Sequence, residues 1–177
     1  MNAIIREARP ADFEAVAALL EELGRPKALG TPDEQAVRGR FEEWLGAPDR
    51  FVFVAEEEDA VIGMIDLAFI GRPNFVQPHA WVPDLIVTDR ARSRGVGAAL
   101  LAKAEEVARE EGAFSLALES ANWRTRAHDF YERQGMTDAA RHFIKVFADV
   151  PWPPPAEDGD LSGPSPPPGA SEPESPA

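Results

Sequence analysis

The sequence contains no cysteine, a single tyrosine and three histidines. The lack of cysteine excludes disulfides, thiolate metal sites and a cysteine nucleophile. The histidines, His79, His128 and His142, have no spacing typical of zinc ligands, so we expect no metal. No apolar run approaches the roughly 20 residues needed to cross a bilayer, and the first residues lack a signal-peptide pattern. These absences predict a cytoplasmic protein that does not bind a membrane.

Basic residues are also scarce. The 177-residue chain has 18 basic and 31 acidic residues, a formal net charge of −13. Because binding to a phosphate backbone needs a basic face, this balance disfavours a nucleic-acid partner. It is compatible with a cationic substrate, although many acidic proteins are simply soluble. The hydrophobic content of 44% is sufficient for one domain with a substantial core.

The C-terminal stretch at 150–177 differs from the rest of the chain. It holds 10 of the 17 prolines, five acids and no base. Such a composition cannot bury enough apolar surface to offset the entropy lost on ordering. We therefore predict a folded domain at 1–149 and a proline-rich, acidic, disordered tail at 150–177. Docking of this tail into an aromatic groove of a partner is the alternative.

Strand and helix patterns alternate along residues 1–149, which predicts an α+β (α/β-like) fold with a mixed sheet. One helix, which follows Gly95, has Leu100, Ala104, Val107 and Ala108 on a single face. A hairpin is expected to turn near Glu58 and Asp59. Strand patterns lie at 3–9, 50–70 (the hairpin), 80–87, 114–120 and 141–147, and helix patterns lie at 10–24, 31–46, after 95 and at 123–135.

The start of the second helix has the features of a capping box. Thr31 can cap the helix, Pro32 fits its first turn, and Glu34 lies three residues after the cap. This pattern predicts that the helix begins directly after Thr31.

An arginine- and glycine-containing turn connects a strand to a helix in "DRARSRGVGAALLAKAEEVARE", residues 89–110. The first N–H groups of a helix lack intrahelical partners and point outward with the positive end of the dipole. Gly95 and Gly97 allow a ligand to approach the backbone, and Arg90, Arg92 and Arg94 add positive charge. The Walker and dinucleotide-binding patterns do not fit this segment. A phosphate site is predicted, with a glycine-tightened turn carrying solvated arginines as the alternative.

Two segments resemble the GNAT N-acetyltransferase superfamily. "DLIVTDRARSRGVGAALL" at 84–101 is similar to its acyl-CoA-binding segment, in which Arg or Gln is followed three residues later by Gly and then by x-Gly or x-Ala. "NWRTRAHDFYERQGM" at 122–136 is similar to its "A..FY...GF" segment. The order of elements extends the resemblance over residues 3 to about 148.

The resemblance implies a GNAT-type sheet of about six or seven strands with about four helices. The sheet should be splayed between its fourth and fifth strands, so that free backbone groups pair with the pantetheine arm of acetyl-CoA. An N–H near Val87 would stabilise the thioester oxyanion, and Pro83 suits a bulge beside the site. The implied cofactor-binding residues are Leu85, Ile86, Val87, Arg92, Ser93, Arg94, Gly95, Val96, Gly97, Ala98 and Asn122.

The resemblance also implies catalytic groups. Tyr131, the single tyrosine, falls at the position of the tyrosine that commonly protonates the departing thiolate, with a core aromatic as the alternative. Asp84 lies where related enzymes often carry a carboxylate that accepts the amine proton, and its alternative is a salt bridge to a nearby arginine. Glu119, His79 or water are further candidates for the base, whereas His128 is interpreted as structural.

The acceptor is less defined by the sequence. Trp44, Phe75 and Trp81 are candidates for lining its pocket or for packing. The expected acceptor is a primary amine of a small molecule, a peptide or a protein, and a homodimer is possible. The expected activity is acetyl-CoA-dependent N-acetylation by direct attack in a ternary complex. The alternative is a catalytically silent acyl-CoA-binding sensor or scaffold.

Overall fold

A computed structural model describes residues 3–145 and 147. The predicted tail at 150–177 lies outside these residues. The chain divides into two units, Met1–Glu119 and Ser120–Ala177. The first unit contains the sheet and three α-helices, and the second contains the fourth α-helix.

The elements alternate as expected from the sequence. The strands are β1 (Ile4–Glu7), β2 (Arg50–Glu57), β3 (Ala60–Ile70), β4 (His79–Val82), β5 (Leu85–Val87) and β6 (Ser115–Leu118). The helices are α1 (Phe13–Glu22), α2 (Glu34–Gly46), α3 (Val96–Glu110) and α4 (Thr125–Arg133), with short 3-10 turns at Pro10–Asp12 and Asp89–Ala91.

The sheet is mixed, as predicted. Its order is β1-β2-β3-β4-β6, and β5 also pairs with β3. All pairs are antiparallel except β4–β6, which is parallel. The parallel pair is joined through α3, because a parallel connection needs a crossover longer than a hairpin turn.

The strand predicted at 80–87 is divided into β4 and β5. β4 lies between β3 and β6, whereas β5 pairs with β3 alone among the described strands. Pro83 separates the two halves, and a proline cannot donate a ladder hydrogen bond. The sheet therefore opens beyond Val82, at the place where a splay between the fourth and fifth predicted strands was expected.

The hairpin turn is confirmed at Glu58 and Asp59. Both residues have positive φ angles, 51° and 61°, between the last residue of β2 and the first of β3. A two-residue loop with φ positive at both positions matches the right-handed twist of the flanking strands.

The capping box predicted for α2 is wrong. The helix begins at Glu34 with Asp33 at its cap. The Thr31 hydroxyl donates to the Ala28 carbonyl at 2.7 Å and accepts the Asp33 N–H at 3.3 Å, and the Glu34 carboxylate accepts the Gly30 N–H at 2.8 Å. The same side chains therefore stabilise the turn that precedes the helix, a competition expected of threonine near a chain reversal.

The strand predicted at 141–147 is also wrong over the residues that the structure describes, because 141–145 and 147 form no strand. Phe143 and Phe147 are 87% and 90% exposed. Alternation favours a strand only where a ladder partner and a packing face are present. The sheet still has six strands because the fourth predicted strand forms two.

Helices cover both faces of the sheet in the first unit. On one face, α1 contributes Val16, Leu19 and Leu23 to a buried cluster with Met64 of β3 and Ile86 of β5. On α3 the predicted apolar face is confirmed, since its four residues are at most 6% exposed: Leu100, Ala104, Val107 and Ala108. Both α1 and α3 contact β5, the strand at which the sheet opens.

Candidate functional site

The connection from β5 to α3 adopts a conformation that suits an anion. Gly95 caps α3 with a φ of 84°, and Ser93 also has a positive φ of 61°. Ser93, Arg94 and Gly95 are exposed. A Cβ added at Gly95 would meet no heavy atom within 4 Å, so open space lies in front of the first turn of α3. The N–H groups of that turn have no intrahelical partners and carry the positive end of the helix dipole.

Two of the three arginines of this loop are engaged in ion pairs. Arg92 donates from Nε to the Val87 carbonyl at 3.2 Å, and its Nη1 lies 2.5 Å from Asp89 Oδ1. Arg94 pairs with Glu57 at the end of β2. Arg92 thus ties the loop to the last residue of β5, whereas Arg90 is exposed.

One edge of β5 has no strand partner among the described residues. Its other edge pairs with β3 in the register Gly63–Val87, Met64–Ile86 and Ile65–Leu85. Gly63 permits this pairing to be close, because a Cβ there would lie 2.9 Å from the Ile86 carbonyl oxygen. The free edge leads directly into the loop before α3. A strand edge with unpaired N–H and C=O groups can pair with an extended ligand.

Three charged residues lie together where β4 ends and β5 begins. Asp84 accepts from Arg25 Nε at 2.7 Å, and Arg25 Nη2 donates to the Pro83 carbonyl at 3.3 Å. The Asp84 N–H donates to Asp66 Oδ1 at 2.7 Å. The predicted alternative for Asp84, a salt bridge, is therefore present, although its partner Arg25 precedes α2 and is not one of the loop arginines.

Asp66 was missed by the sequence reasoning. Burial, followed by repulsion from Asp84, raises the pKa of the Asp66 carboxyl to about 8. The signal that could have found it is an acid in the otherwise apolar strand "AVIGMIDLAFI", because an acid in such a strand needs a specific partner.

We predict that Asp66→Asn makes folding stability less dependent on pH. The folded pKa of about 8 exceeds the ordinary value of 3.8, so the folded state binds the extra proton between these values. The contribution of Asp66 to the free energy of unfolding is therefore fully present below pH 3.8 and is lost as the pH rises towards 8. The loss is at most about 1.4 kcal/mol per pH unit. In urea unfolding from pH 5 to 9, the free energy of unfolding of Asp66→Asn should increase relative to that of the wild type as the pH rises. A constant difference between the two proteins would contradict the prediction.

The other candidates for the base lie at different distances from the junction. His79 begins β4, about 13 Å along the strand from the junction. Its Nδ1 lies 2.7 Å from the Ser115 hydroxyl, and burial lowers its pKa. Glu119 is exposed and directly follows Leu118, which pairs with Val82, the last residue of β4. Asp84 and Glu119 therefore flank the β4–β5 junction, whereas His79 lies at the far end of β4.

The aromatic residues predicted near the acceptor do not form one group. Trp81 pairs with Ala68, two residues along β3 from Asp66, so Trp81 and Asp66 share a face of the sheet. Trp44 packs against the buried cluster beneath α1, and its buried Nε1 has no hydrogen-bond partner among the described residues. Phe75 stacks on Phe114 with ring centroids 4.7 Å apart. Trp81 is the one whose strand position fits the site.

The second unit contains the remaining predicted residues. Asn122 is exposed in a turn before α4, and Tyr131 lies on α4 with its ring centroid 5.2 Å from that of Phe130. His128 Nε2 lies 3.0 Å from the Ala121 carbonyl oxygen, which fits its interpretation as a structural residue that closes the turn.

In residues 3–145 and 147, no three His, Cys, Asp or Glu side chains are grouped as metal ligands. No helix in this part of the chain combines the length and apolar character needed to cross a bilayer.

A half-paired strand that leads into a glycine-capped helix, within a mixed sheet, is the arrangement that the resemblance to GNAT proteins implies. The family model of the acetyltransferase (GNAT) family matches residues 5–136 of this chain. The chain belongs to this family and is an acyltransferase.

Individual relatives agree with this assignment. The aminoalkylphosphonate N-acetyltransferase of Salmonella typhimurium is 34% identical over 146 residues, which cover 80% of this chain and 90% of that protein. Glucosamine-6-phosphate N-acetyltransferase from Arabidopsis thaliana has a similar fold, with a TM-score of 0.72 and 20% identity; the match covers 84% of this chain and 100% of that chain.

A further solved structure shows the fold with a bound ligand. AAC(6')-Iy in complex with the bisubstrate analogue CoA-S-monomethyl-acetylneamine has a TM-score of 0.70 and 20% identity. The match covers 84% of this chain and 99% of that chain. At this identity the likeness supports the fold.

Proposed function

We propose that this protein transfers the acetyl group of acetyl-CoA to a primary amine by direct attack in a ternary complex. The observation that carries the proposal is the continuity of two binding features. The unpaired edge of β5 leads, through the loop that Arg92 ties to Val87, to the exposed N-terminus of α3. An extended arm with a pyrophosphate at its end fits a strand edge followed by a helix start.

Backbone groups would carry most of the donor binding. The family motif aligns Leu85, Ile86 and Val87 with the pantetheine arm. Of these, Leu85 and Val87 have their backbone groups on the edge away from β3 and would pair with the arm, and the Val87 N–H would stabilise the oxyanion of the attacked thioester. The pyrophosphate would lie on the amides of Arg92, Ser93, Arg94, Gly95, Val96, Gly97 and Ala98. Asn122 would contact the CoA arm. These assignments follow the family motif at the matching positions.

The chemical step is a displacement at the thioester carbon. The amine nitrogen attacks the carbonyl carbon, a C–N bond forms, and the C–S bond breaks. Asp84 would accept the amine proton, directly or through water, and Tyr131 would donate a proton or hydrogen bond to the departing sulfur. Arg25 donates to Oδ1 of Asp84 and to the Pro83 carbonyl, so Oδ2 of Asp84, or water in its place, would accept the amine proton.

The acceptor is proposed to be a small primary amine. The support is the bacterial relative at 34% identity, which is named for acetylation of aminoalkylphosphonates. Trp81 and Asp66 share the face of the sheet on which Arg25 approaches, and that face would receive the acceptor. A panel of aminoalkylphosphonates, amino acids, aminoglycosides and peptides, assayed by thiol release from acetyl-CoA, would identify the class. Binding of acetyl-CoA without turnover on any amine would favour the silent sensor instead.

We expect acetyl-CoA to raise the melting temperature of the protein. A ligand that binds only the native state stabilises it by about 2.7 kcal/mol at 100 times its dissociation constant. For a domain of this size, that corresponds to a shift of about 5–10 °C. Thermal unfolding with and without millimolar acetyl-CoA measures the shift. An unchanged melting temperature would remove the basis of the proposed function.

A further inference from the structure

The junction of β4 and β5 is a β-bulge. Ala68 pairs with Trp81 on one side of it, and Ile65 pairs with Leu85 on the other. Between these pairs β3 contributes two residues, 66 and 67, and the opposite chain contributes three, 82–84. The extra residue displaces the backbone groups of the bulged chain from the regular ladder, so they need other partners.

Side chains supply those partners. The Asp84 N–H donates to Oδ1 of the Asp66 carboxyl at 2.7 Å, while the Asp66 N–H donates to the Asp84 carbonyl at 3.1 Å. Arg25 donates to the Pro83 carbonyl. An N–H that is partly removed from water and lacks an acceptor is costly, so the Asp66 carboxyl stabilises the bulge.

We propose that Asp66 is a positioning residue for acetyl transfer: its carboxyl accepts the Asp84 N–H, fixes the bulge, and so holds the free edge of β5 in place for the acyl donor. The inference rests on the proposed function. It extends that function to a residue on β3 whose side chain belongs to neither GNAT-like motif. Two charged groups influence the pKa of Asp66. They are Asp84, at the β4–β5 junction, and Arg25, in the connection between α1 and α2.

Two substitutions separate the hydrogen bond from the charge. Asp66→Asn keeps an acceptor oxygen for the Asp84 N–H, whereas Asp66→Leu removes it. We expect Asp66→Leu to weaken acetyl-CoA binding at pH 7 at least about 10-fold, because β5 is no longer held. Asp66→Asn should recover most of that affinity. The KM for acetyl-CoA should rise in Asp66→Leu more than the KM for the amine, since β5 is assigned to the donor.

Asp12→Leu provides a matched control. Asp12 is also a nearly buried acid, 9% exposed, and it is paired with Arg6 before α1. Its replacement should lower stability without changing acetyl-CoA affinity, measured by calorimetry at a temperature where each variant is folded. Equal loss in Asp12→Leu and Asp66→Leu would show a general stability effect and would overturn the inference.

A second measurement applies if Asp66→Leu does not fold. Ionisation of Asp66 above pH 8 adds a second negative charge beside Asp84, so acetyl-CoA affinity of the wild type should fall several-fold from pH 7 to 9. In Asp66→Asn this fall should be absent. Equal pH profiles would overturn the inference. If the wild type and Asp66→Leu bind acetyl-CoA with equal affinity, this inference is overturned but the proposed function is not. If the wild type itself binds no acetyl-CoA, the proposed function is overturned as well.

Discussion

Gly95→Glu should abolish acetyl-CoA binding while the domain remains folded. The glutamate carboxylate would occupy the open space before the first turn of α3, where the pyrophosphate is proposed to lie. Like charges placed together in a binding site cost several kcal/mol, which corresponds to a loss of affinity of at least about 100-fold. Calorimetric titration with acetyl-CoA measures this loss directly.

Backbone strain must be separated from this charge effect. Gly95 has a φ of 84°, so any side chain there costs about 1–2 kcal/mol. Gly112→Glu is the matched control, because Gly112 also has a positive φ, 68°, and open space, but it follows the C-terminal end of α3. This control should lose similar stability and keep its affinity. If Gly95→Glu binds acetyl-CoA like wild type, the loop is not the phosphate site.

Tyr131→Phe should lower turnover by about 100-fold or more and change acetyl-CoA binding little. The ordinary pKa of a phenol, about 10, exceeds that of a thiol, about 8.5, by an amount equal to about 2 kcal/mol. Full proton transfer to the thiolate is therefore mildly uphill, and a hydrogen bond to sulfur as negative charge develops is the main contribution. That contribution exists in the transition state, so kcat falls and binding is retained.

The phenylalanine keeps the ring that contacts Phe130, so the melting temperature should move only slightly. Steady-state kinetics, together with the thermal shift produced by acetyl-CoA, test both parts of the prediction. Near-normal turnover would eliminate the catalytic role. An unfolded variant would instead show that the hydroxyl is needed for packing of its own unit.

The predicted elements that the structure confirms are those defined by signals in neighbouring residues. The apolar face of α3, the hairpin turn at Glu58 and Asp59, and the strand that precedes the loop follow from periodicity and turn geometry. The capping box at Thr31 failed because the same side chains had a nearer partner in the preceding turn. The strand at 141–147 failed over its described residues because alternation does not provide a ladder partner.

The sequence by itself determined the family resemblance and the position of the loop at 92–97, because these depend on neighbouring residues. Only the tertiary structure revealed the role of the groups around the bulge. Asp66 and Asp84 are 18 residues apart, and Arg25 and Asp84 are 59 residues apart. Nothing local to each residue specifies its partner. Their hydrogen bonds form because the pairing of β3 with β4 and β5, and the packing of α1 on that sheet, bring them together.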